Sequence, residues 1–531
     1  MALGGENIVL PPNLNAAVRA GTELAATLEA TAPVALAGVA AALADELRPG
    51  DLVVATELRT VAPATSRALP GAALLASEIR RVGLGVRTGP VVSLPSQLPA
   101  SERAALAASG AVALDTGSAF VMQSFGPNPV AVVCSIADPA EHDGRTGGDG
   151  SGDVTRPATN GSPAAARALT AGVVDARALL GARALGSLLV LRRPLEIWAR
   201  ATGAHDVLLA SPRSFCAGVE RAIETVERAL ERYGPPVYVR RQIVHNLHVV
   251  AALEAKGAHF VEEIDDVPAK AVVVLAAHGV SPEVRRQAAD RGDLEVIDAT
   301  CPLVAKVHSE ARRYASHGHE IVLIGHADHE EVIGTLGEAP DRFHLVESRK
   351  DVAGLDLDPD HPVAYLTQTT LATDETADVI AALRARFPEI AAPPADDICY
   401  ATQNRQDAVR HLARSCDLVL VVGSANSSNT ARLVEVAMRE GCRAELIEDA
   451  SQLQLSWMAG VGTVGLTAGA SAPERLVQDV VDTLMLLGPV RLSEHRTTEE
   501  SVRFALPIQV RPCQSRSDRT SESLLTSSSS G

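Results

Sequence analysis

The sequence predicts an α/β protein of more than one domain, and three observations support this fold class. The chain has 531 residues, which corresponds to roughly two to four domains of ordinary size. Between about residues 205 and 505, short β-branched runs alternate with helical stretches, the pattern of a mostly parallel sheet. These runs end in small and polar residues, and parallel sheets bind ligands beyond the carboxyl ends of their strands. We therefore expect a functional site in this second part of the chain.

The first 200 residues, rich in Ala, Leu and Val, predict a separate small α/β domain. Its predicted elements are a strand at 51–56, a helix at 103–109, and strands at 111–114 and 130–133. A Gly-, Asp- and Ser-rich run at 143–163 has almost no apolar residues and predicts a flexible loop. Helical sequence resumes at 164 and continues to about 201, so we place this domain at 1–202.

Nine β-branched runs make up the second domain, which we place at 203–508. In order they are VLLASPRSFC, VYVRRQIVHN, VVVLAAHGVS, EVIDATCP, IVLIGHADHE, VAYLTQTT, DICYATQNR, LVLVVGSANSSN and VGLTAGAS. Most are followed by a helical stretch, such as 219–232 or 406–414. The Ser-rich segment 509–531 has almost no core-forming residues and is predicted to be a disordered tail.

The composition argues against several classes of function. Acidic residues outnumber basic ones by 65 to 48, a net charge of −17, whereas nucleic-acid binding needs a basic surface. Aromatic residues make up only 3%, too few for platforms that stack single-stranded bases. The most apolar early stretch, 34–43, is far shorter than the ~20 residues that span a bilayer, and no signal peptide is evident. We expect a cytoplasmic protein that binds neither nucleic acid nor membrane.

Three of the seven cysteines share a distinctive context. Cys216, Cys301 and Cys399 each follow an apolar run and precede a helical one, at similar spacings, which suggests three equivalent subdomains around one centre. A zinc site would show short CxxC pairs, and disulfide pairing would leave one thiol over. An iron–sulfur cluster accepts thiolates from distant parts of a chain, and three thiolates leave a [4Fe–4S] cluster one iron free to act as a Lewis acid. Burial as small apolar residues is the alternative, and it is what we expect of Cys134, Cys416 and Cys442, whereas Cys513 lies in the tail.

Polar side chains follow the predicted strands and form a second group of candidates. Neutral imidazoles, hydroxyls, amides and backbone N–H groups can together bind a diphosphate without a dense cluster of Lys and Arg. Glu331 suits proton donation to a leaving hydroxyl if the site raises its pKa. Taken singly, such residues are more often caps, turns or structural histidines, but their shared position at strand ends indicates a site. The group is His245, His278, His329, Glu331, Thr367, Thr369, Thr370, Ser427, Ser428, Asn429 and Ser471.

Residues from about 206 to 505 strongly resemble the 4-hydroxy-3-methylbut-2-enyl diphosphate reductase family. The matching segments, in order, are PRSFCAGVERAI, VYVRRQIVHN, AAHGVS, DATCPLVAKVH, IGHADHEEVIGT, LTQTTL, DDICYATQNRQ, VVGSANSSNTARL and TAGASAP. The resemblance implies an iron–sulfur oxidoreductase that reductively dehydroxylates this allylic diphosphate to isopentenyl and dimethylallyl diphosphates, the last step of the methylerythritol phosphate pathway. It also implies three α/β subdomains in a trefoil around one [4Fe–4S] cluster per chain, with electrons from reduced ferredoxin or flavodoxin.

The same resemblance implies a role for each candidate residue. Cys216, Cys301 and Cys399 hold the cluster. Glu331 is the proton donor and works with Thr369 near the substrate oxygen, and His329 lines the carbon chain. The diphosphate is bound by His245, His278, Ser427, Ser428, Asn429 and Ser471.

The first domain loosely resembles the nucleoside phosphorylases in the segments AGVAAALADELRPGDLVVATEL, VGLGVRTGPVVSL and GAVALDTGSAFV. In that superfamily the third segment carries a Met-Glu pair that contacts ribose, whereas this chain has Asp115-Thr116-Gly117-Ser118 there. We expect a degenerate domain with a scaffolding, dimerising or regulatory role.

Three other functions stay open from the sequence. The first is an iron–sulfur sensor, which the presence of Glu331 and Thr369 disfavours, because a sensor needs only the cysteines. The second is a non-redox hydratase of the aconitase type, which the order of the motifs disfavours. The third is a nucleoside-binding module in the first domain.

Overall fold

The computed structural model describes residues 33–48, 50–61, 64–94, 100–115, 118–125, 129–138, 191–358 and 361–511. The predicted loop 143–163, most of the predicted helical stretch 164–201 and nearly all of the predicted tail lie outside these described residues. The chain divides into two compact units. The first comprises residues 1–207, 451–462 and 480–491, and the second comprises 208–450, 463–479 and 492–531. The domain boundaries inferred from sequence stay a prediction.

The first unit contains a six-stranded sheet among its described residues, in the order β3-β2-β4-β5-β1-β6. An additional antiparallel pairing of β2 with β6 closes five of these strands into a ring. Its elements, in chain order, are β1 Val34–Ala42, β2 Leu52–Val61, β3 Ala64–Ala68, α1 Ala72–Arg81, β4 Val86–Ser93, α2 Ala100–Ala108, β5 Ala113–Asp115, α3 Ser118–Met122, a 3-10 turn Gln123–Phe125, β6 Val130–Asp138 and α4 Arg192–Ala201.

The core of the first unit comes from the β-branched and small residues of these strands. Val53, Val91, Val132 and Ile136 are all buried and belong to one apolar cluster. Cys134 lies in the same cluster, as expected of a structural cysteine. The four elements predicted in this region are present with shifted ends, and the apolar stretch 34–43 forms β1.

The remaining elements alternate between strand and helix along most of their length. In chain order they are β7 His205–Ser211, α5 Ala217–Tyr233, β8 Val237–Arg240, α6 Leu247–Glu254, β9 Ala258–Val261, β10 Val272–Leu275, α7 Pro282–Arg291, β11 Glu295–Asp298, α8 Pro302–Ser316, β12 Glu320–Ile324, α9 Glu330–Leu336, β13 Phe343–Val346, α10 Arg349–Ala353, β14 Val363–Thr367, α11 Thr373–Arg386, α12 Tyr400–Ala413, β15 Leu418–Val422, α13 Ser428–Arg439, β16 Arg443–Ile447, α14 Leu455–Met458, β17 Thr463–Ala468, α15 Glu474–Met485 and β18 Val490–Arg496. Short 3-10 turns lie at Ile264–Asp266, Pro340–Arg342, Ala450–Gln452 and Ile508–Val510.

Three sheets organise this part of the chain, and they confirm the predicted α/β class. Their strand orders are β11-β10-β8-β9, β13-β12-β14 and β16-β15-β17-β7-β18. The first two sheets are parallel throughout, and β15 pairs in parallel with both its neighbours. Central strands such as β15 (LVLVV) are buried along their whole length, because helices cover both faces of parallel sheets. The trefoil arrangement around a cluster stays a prediction.

One of the nine β-branched runs was wrongly interpreted as strand sequence. Residues 394–399 form bends and irregular backbone that lead directly into α12. Pro393 and Pro394, at the start of this segment, lack the N–H groups that a strand ladder needs. The carboxylate of Asp397 instead accepts the N–H of Thr367 at the end of β14.

No helix in the described part of the chain is both long and apolar enough to cross a membrane.

Candidate functional site

The three singled-out cysteines occupy the same local position, immediately before a long helix. Cys216, Cys301 and Cys399 are the N-caps of α5, α8 and α12, respectively. The helix dipole and the free N–H groups of the first turn favour negative charge at this position. The backbone N–H of each cysteine donates to a carbonyl of another loop: Cys216 to Ala470 (3.3 Å), Cys301 to Ala277 (2.9 Å) and Cys399 to Thr369 (3.0 Å).

The thiols face one another closely. A Cβ added to Gly218 would lie 2.6 Å from the Sγ of Cys301 and 3.8 Å from the Sγ of Cys216. Burial, reinforced by the electrostatic influence of the neighbouring Cys216, raises the pKa of the Cys301 thiol to about 12 and that of the Cys399 thiol to about 11. These thiols therefore need a cation partner to exist as thiolates at neutral pH.

The donor set suits a multi-iron group better than a single metal ion. In the residues that the structure describes, no group of three or more His, Cys, Asp or Glu side chains is arranged to hold one metal ion. An iron–sulfur cluster presents a separate iron to each thiolate, so its ligands do not need to converge on one point. Three neighbouring thiols at three helix N-termini fit this requirement.

Glu331 and Thr369 form a buried pair beside the Cys399 loop. The Glu331 side chain, on α9, accepts the N–H of Thr369 at 2.7 Å and its hydroxyl at 2.9 Å. Burial raises the pKa of Glu331 to about 7, although both hydrogen bonds from Thr369 lower it. The carbonyl of the same Thr369 accepts the N–H of Cys399. A carboxyl group that holds a proton near neutral pH is therefore linked to the candidate ligand Cys399 by hydrogen bonds through a single residue, Thr369.

Three imidazole rings lie together at the ends of β8, β10 and β12. The rings of His245 and His278 stack with centroids 4.0 Å apart, and the ring of His329 lies 5.5 and 5.9 Å from them. Burial lowers the pKa of all three, that of His329 to about 3, so the rings are neutral at pH 7. His245 Nε2 and His278 Nδ1 are buried and have no hydrogen-bond partner within the described part of the chain. Such atoms are suited to hydrogen-bond a ligand.

The predicted residues with hydroxyl side chains surround these rings. Ser471, after β17, donates its hydroxyl to the carbonyl of His245 at 3.0 Å, and its Oγ lies 3.4 Å from that of Ser427. Ser427 caps α13 by accepting the N–H of Thr430. The hydroxyl of Ser428 accepts a hydrogen bond from the hydroxyl of Thr370, after β14, at 3.0 Å. Residues from all three sheets thus meet beyond the carboxyl ends of their strands, as expected.

Asn429 connects these hydroxyl-bearing residues to two of the cysteines. Its side-chain oxygen accepts the N–H of Ala470, and the carbonyl of Ala470 accepts the N–H of Cys216. Its side-chain nitrogen donates to the hydroxyl of Thr402, whose Oγ1 lies 3.1 Å from the Sγ of Cys399. The amide of Asn429 therefore already has two protein partners.

Apart from Thr367, whose N–H donates to Asp397, the predicted site residues fall in this one neighbourhood. Sequence analysis missed several residues that complete it. The buried Gln368 donates its amide to Thr370 Oγ1 at 2.9 Å and to Ser428 Oγ at 3.3 Å. Thr402 contacts Cys399, and Asn426 donates to the side chain of Gln242. Gln368 and Thr402 stand within or beside the motifs TQTT and CYATQNR, so their proximity to candidate residues was the available signal.

Comparisons with known proteins give a consistent result for this second part of the chain. The family model described as "LytB protein" matches residues 207–485. The 4-hydroxy-3-methylbut-2-enyl diphosphate reductase of Cutibacterium acnes is 58% identical over 314 residues, which cover 58% of this chain and 97% of that protein. The reductase of the same name from Zymomonas mobilis is 54% identical over 310 residues, or 58% of this chain and 91% of that protein.

A solved structure agrees with these sequence relatives. The E-1-hydroxy-2-methyl-but-2-enyl-4-diphosphate reductase from Plasmodium falciparum aligns with a TM-score of 0.56 and 38% identity, over 60% of this chain and 99% of that chain. The resemblance of the first domain to nucleoside phosphorylases stays a prediction. Because the family model matches more than half of the chain, and the relatives are matched over nearly their whole length, this chain belongs to the LytB protein family.

Proposed function

We propose that this chain catalyses the reductive dehydroxylation of 4-hydroxy-3-methylbut-2-enyl diphosphate to isopentenyl and dimethylallyl diphosphates, the last step of the methylerythritol phosphate pathway. The observation that carries the proposal is the Glu331–Thr369 pair. It is hydrogen-bonded to the Cys399 loop through the Thr369 carbonyl, and the backbone N–H of Glu331 donates to Nδ1 of the neutral His329 at 3.2 Å. A proton donor, a set of three thiols and a site for an anion thus belong to one hydrogen-bonded neighbourhood. The relatives that bear the name of this reductase support the choice of substrate.

The proposal includes one [4Fe–4S] cluster held by Cys216, Cys301 and Cys399. When bound, the cluster supplies electrons one at a time and Lewis acidity at the iron that lacks a cysteine ligand. The three N-cap positions favour the thiolate form of these residues. Gly218, which has no Cβ, leaves room between Cys216 and Cys301.

Glu331 delivers the proton that turns the hydroxyl group into water. The overall reaction adds two electrons and two protons to the substrate and releases one water molecule. The Thr369 hydroxyl lies 2.9 Å from Glu331 Oε2 and donates to the carboxylate. When Glu331 is protonated, its O–H can instead donate to this hydroxyl, which then passes its own proton to the leaving oxygen. The backbone N–H of Thr369 holds the other carboxyl oxygen, so the donor keeps one orientation.

His245, His278 and the nearby serine residues hold the diphosphate. This orients the carbon chain along His329. Neutral imidazoles at His245 and His278 bring N–H and lone-pair partners without a permanent charge. The hydroxyls of Ser427, Ser428 and Ser471 surround the N-terminus of α13, where free N–H groups favour an anion. Asn429 positions this turn against the cysteine loops.

The electrons come from an external carrier of the one-electron type, reduced ferredoxin or flavodoxin. We expect this reaction in the cytoplasm, where few, widely separated cysteines stay reduced.

An anaerobic assay of the full chain tests this function. The chain is purified without oxygen, its iron and sulfide are measured, and the allylic diphosphate is added with a strong one-electron donor. We expect a brown protein that forms both five-carbon diphosphates. A brown protein without turnover would favour the sensor. Conversion of the substrate, without any electron donor, to a hydrated or dehydrated product at the same oxidation level would indicate a hydratase.

A matched pair of cysteine variants tests the ligand assignment. Cys301→Ser should lose the visible absorbance of the cluster and the activity, because one of three iron anchors is removed. Cys442→Ser is the control, since Cys442 is also buried but lies in a separate apolar cluster after α13. Retention of full cluster absorbance in Cys301→Ser would remove Cys301 from the ligand set.

A further inference from the structure

Each of the three helices that begin at a candidate cysteine carries a cation in its second turn. These cations are Arg221 on α5, Lys306 on α8 and Arg405 on α12, at five, five and six residues after the respective cysteine. None of them belongs to the proton-donor or diphosphate groups described above. Their shared spacing raises the question of what each one contacts.

Arg221, on the helix that follows Cys216, reaches the loop that precedes Cys301. One guanidinium nitrogen donates to the carbonyls of Ala299 (2.9 Å) and Thr300 (3.0 Å). Nε of the same guanidinium donates to the carbonyl of Ala505. Helix α5, which begins at Cys216, therefore fixes the backbone that leads into Cys301.

Lys306, on the helix that follows Cys301, reaches the loop that precedes Cys399. Its ammonium donates to the carbonyls of Ala395 (2.7 Å) and Asp396 (3.1 Å) and to the carboxylate of Asp397 (3.1 Å). The side chain of Asp397 is fully buried, so this ion pair holds the loop from the inside. Helix α8, which begins at Cys301, therefore fixes the backbone that leads into Cys399.

Arg405, on the helix that follows Cys399, closes the circle at the loop that precedes Cys216. It donates to the carbonyls of Ser214 (2.8 Å) and Phe215 (3.2 Å), and its side chain is fully buried and paired with Glu500. The order 216 to 301 to 399 and back to 216 is thus complete. Each of the three cations lies in the second turn of its helix and donates to backbone carbonyls before the next cysteine. The contacts therefore run in one direction around the site.

This arrangement has a physical consequence for the thiols. Hydrogen bonds from a cation to a carbonyl are stronger than neutral ones, and they fix the backbone directly beside each cysteine. Because the contacts form a closed circle, no cysteine loop can move without disturbing the helix of another. The positive charge of Arg221 also interacts electrostatically with the Cys301 thiol.

We propose that Arg221, Lys306 and Arg405 form a ring of three backbone clamps that sets the mutual positions of the cysteine thiols. We call these residues the clamp ring. This inference rests on the cluster proposed above, and it assigns the three cations as positioning residues, since they act through the loops of the ligands. Outer-shell partners of this kind typically contribute about 10–100-fold to metal affinity or activity.

The chain offers one control cation on each of the same helices. Arg228 on α5 pairs with Glu224 and Glu231, Arg312 on α8 pairs with Glu338, and Arg410 on α12 pairs with Asp407. None of these contacts involves a loop that precedes a cysteine. Their replacement removes the same charge from the same helix and leaves the clamp ring intact.

The experiment measures the rate at which the anaerobic holoprotein loses its visible cluster absorbance to an iron chelator. Arg221→Met and Lys306→Met should lose the cluster about 10–100-fold faster than the unsubstituted chain. Lys306→Arg should restore most of the retention, because it keeps the charge and the donors. The variants Arg228→Met, Arg312→Met and Arg410→Met should lose the cluster at the original rate.

Two further measurements separate positioning from general folding. Thermal unfolding of the cluster-free chain should change little in Arg221→Met, whose partners are backbone carbonyls, and in Lys306→Arg, which keeps the ion pair with the buried Asp397. The electron paramagnetic resonance signal of the reduced cluster should nevertheless shift in Arg221→Met. Arg405 is fully buried, so the conservative Arg405→Lys is used there and should give an intermediate rate of loss. The double variant of Arg221 and Lys306 should lose its cluster more slowly than the product of the two single-variant rate increases predicts. The reason is that the first substitution already opens the ring and frees the cysteine loops to move.

The outcomes distinguish this inference from the proposed function. If the unsubstituted chain takes up no cluster, the proposed cofactor is wrong. If it holds a cluster and the folded clamp variants lose it at the rate of the controls, the clamp ring is wrong and the proposed function is unaffected.

Discussion

At the scale of single residues, burial acts in opposite directions on the acids and bases of the site. It raises the pKa of Glu331 to about 7 and lowers the pKa of His245, His278 and His329. Removal from water always favours the neutral form, so the carboxyl keeps its proton and the imidazoles lose theirs. The site is therefore a neutral proton donor beside neutral hydrogen-bonding groups until a charged ligand enters.

The pH dependence of turnover follows from the pKa of Glu331. The acid is protonated below about pH 7 and loses its proton above it, so kcat should fall as the pH rises through this value. With one proton involved, the decrease should approach about ten-fold per pH unit. The measurement is kcat at saturating substrate across the range. A rate that stays constant up to about pH 9 would show that Glu331 is not the donor.

Replacement of Glu331 by Gln should stop turnover and leave the cluster in place. The amide keeps the size of the side chain but has no acidic proton, so we expect a loss of about 10²–10⁴-fold in kcat. The control is Glu330→Gln, which removes the neighbouring carboxylate that pairs with Arg241. Cluster absorbance and product formation are measured on both variants. Normal turnover in Glu331→Gln would contradict the assigned role.

At the scale of elements, the first turns of three helices carry the ligand site. Cys216, Cys301 and Cys399 cap helices of 17, 15 and 14 residues, long enough for a dipole that favours negative charge at their N-termini. Gly218, in the first turn of α5, lies where a side chain would meet the thiol of Cys301. The helix thus approaches the neighbouring ligand more closely than any residue with a Cβ permits.

Substitution of Gly218 by Ala should separate helix stability from cluster binding. Ala favours helix by about 0.5–1 kcal/mol over Gly, so the cluster-free chain should be as stable as before or slightly more. The new Cβ would lie 2.6 Å from Cys301 Sγ, which must rotate away and lose its ligand position, so iron content should fall. Iron per chain and thermal unfolding are the measurements.

The control for this substitution is Gly334→Ala on α9, where the nearest atom to an added Cβ is 3.4 Å away. We expect it to keep its iron. Equal iron in the two variants would contradict the close packing of α5 against Cys301.

At the scale of the whole molecule, the chain does not divide at a single position. The first unit takes residues up to 207 and two later segments, 451–462 and 480–491. Within this unit, the buried Trp198 lies on α4, which packs against α1 and against α14 from the first of those segments. A fragment that ends at residue 202 therefore lacks part of the surroundings of its own last helix.

We expect Trp198 to report this loss by fluorescence. In a fragment of residues 1–202 its indole should be more exposed, with emission at longer wavelength than in the full chain. The full-chain reference carries Trp457→Phe, because the sequence has only two tryptophans and this leaves Trp198 alone. Identical emission in the two proteins would show that the later segments are not needed around α4.

The limits of sequence prediction are visible in particular residues. The α/β class and most strands were predictable, and the candidate residues could be proposed, because alternating apolar runs and polar strand ends are local patterns. The strand predicted at DICYATQNR was wrong, since two prolines and the capping of Thr367 by Asp397 decide that backbone. Gln368 and Thr402 were missed because their partners, Ser428 and Asn429, are distant in sequence.

The sequence by itself determined the chemistry available to this protein: three cysteines before helices, and a carboxyl and a threonine after neighbouring strands. Only the tertiary structure decided which groups meet and in what state. The raised pKa of Glu331 and the lowered pKa of the histidines depend on burial among residues far apart in the chain. The contacts of Arg221, Lys306 and Arg405 likewise join segments about 80 to 190 residues apart, a relation that no local pattern encodes.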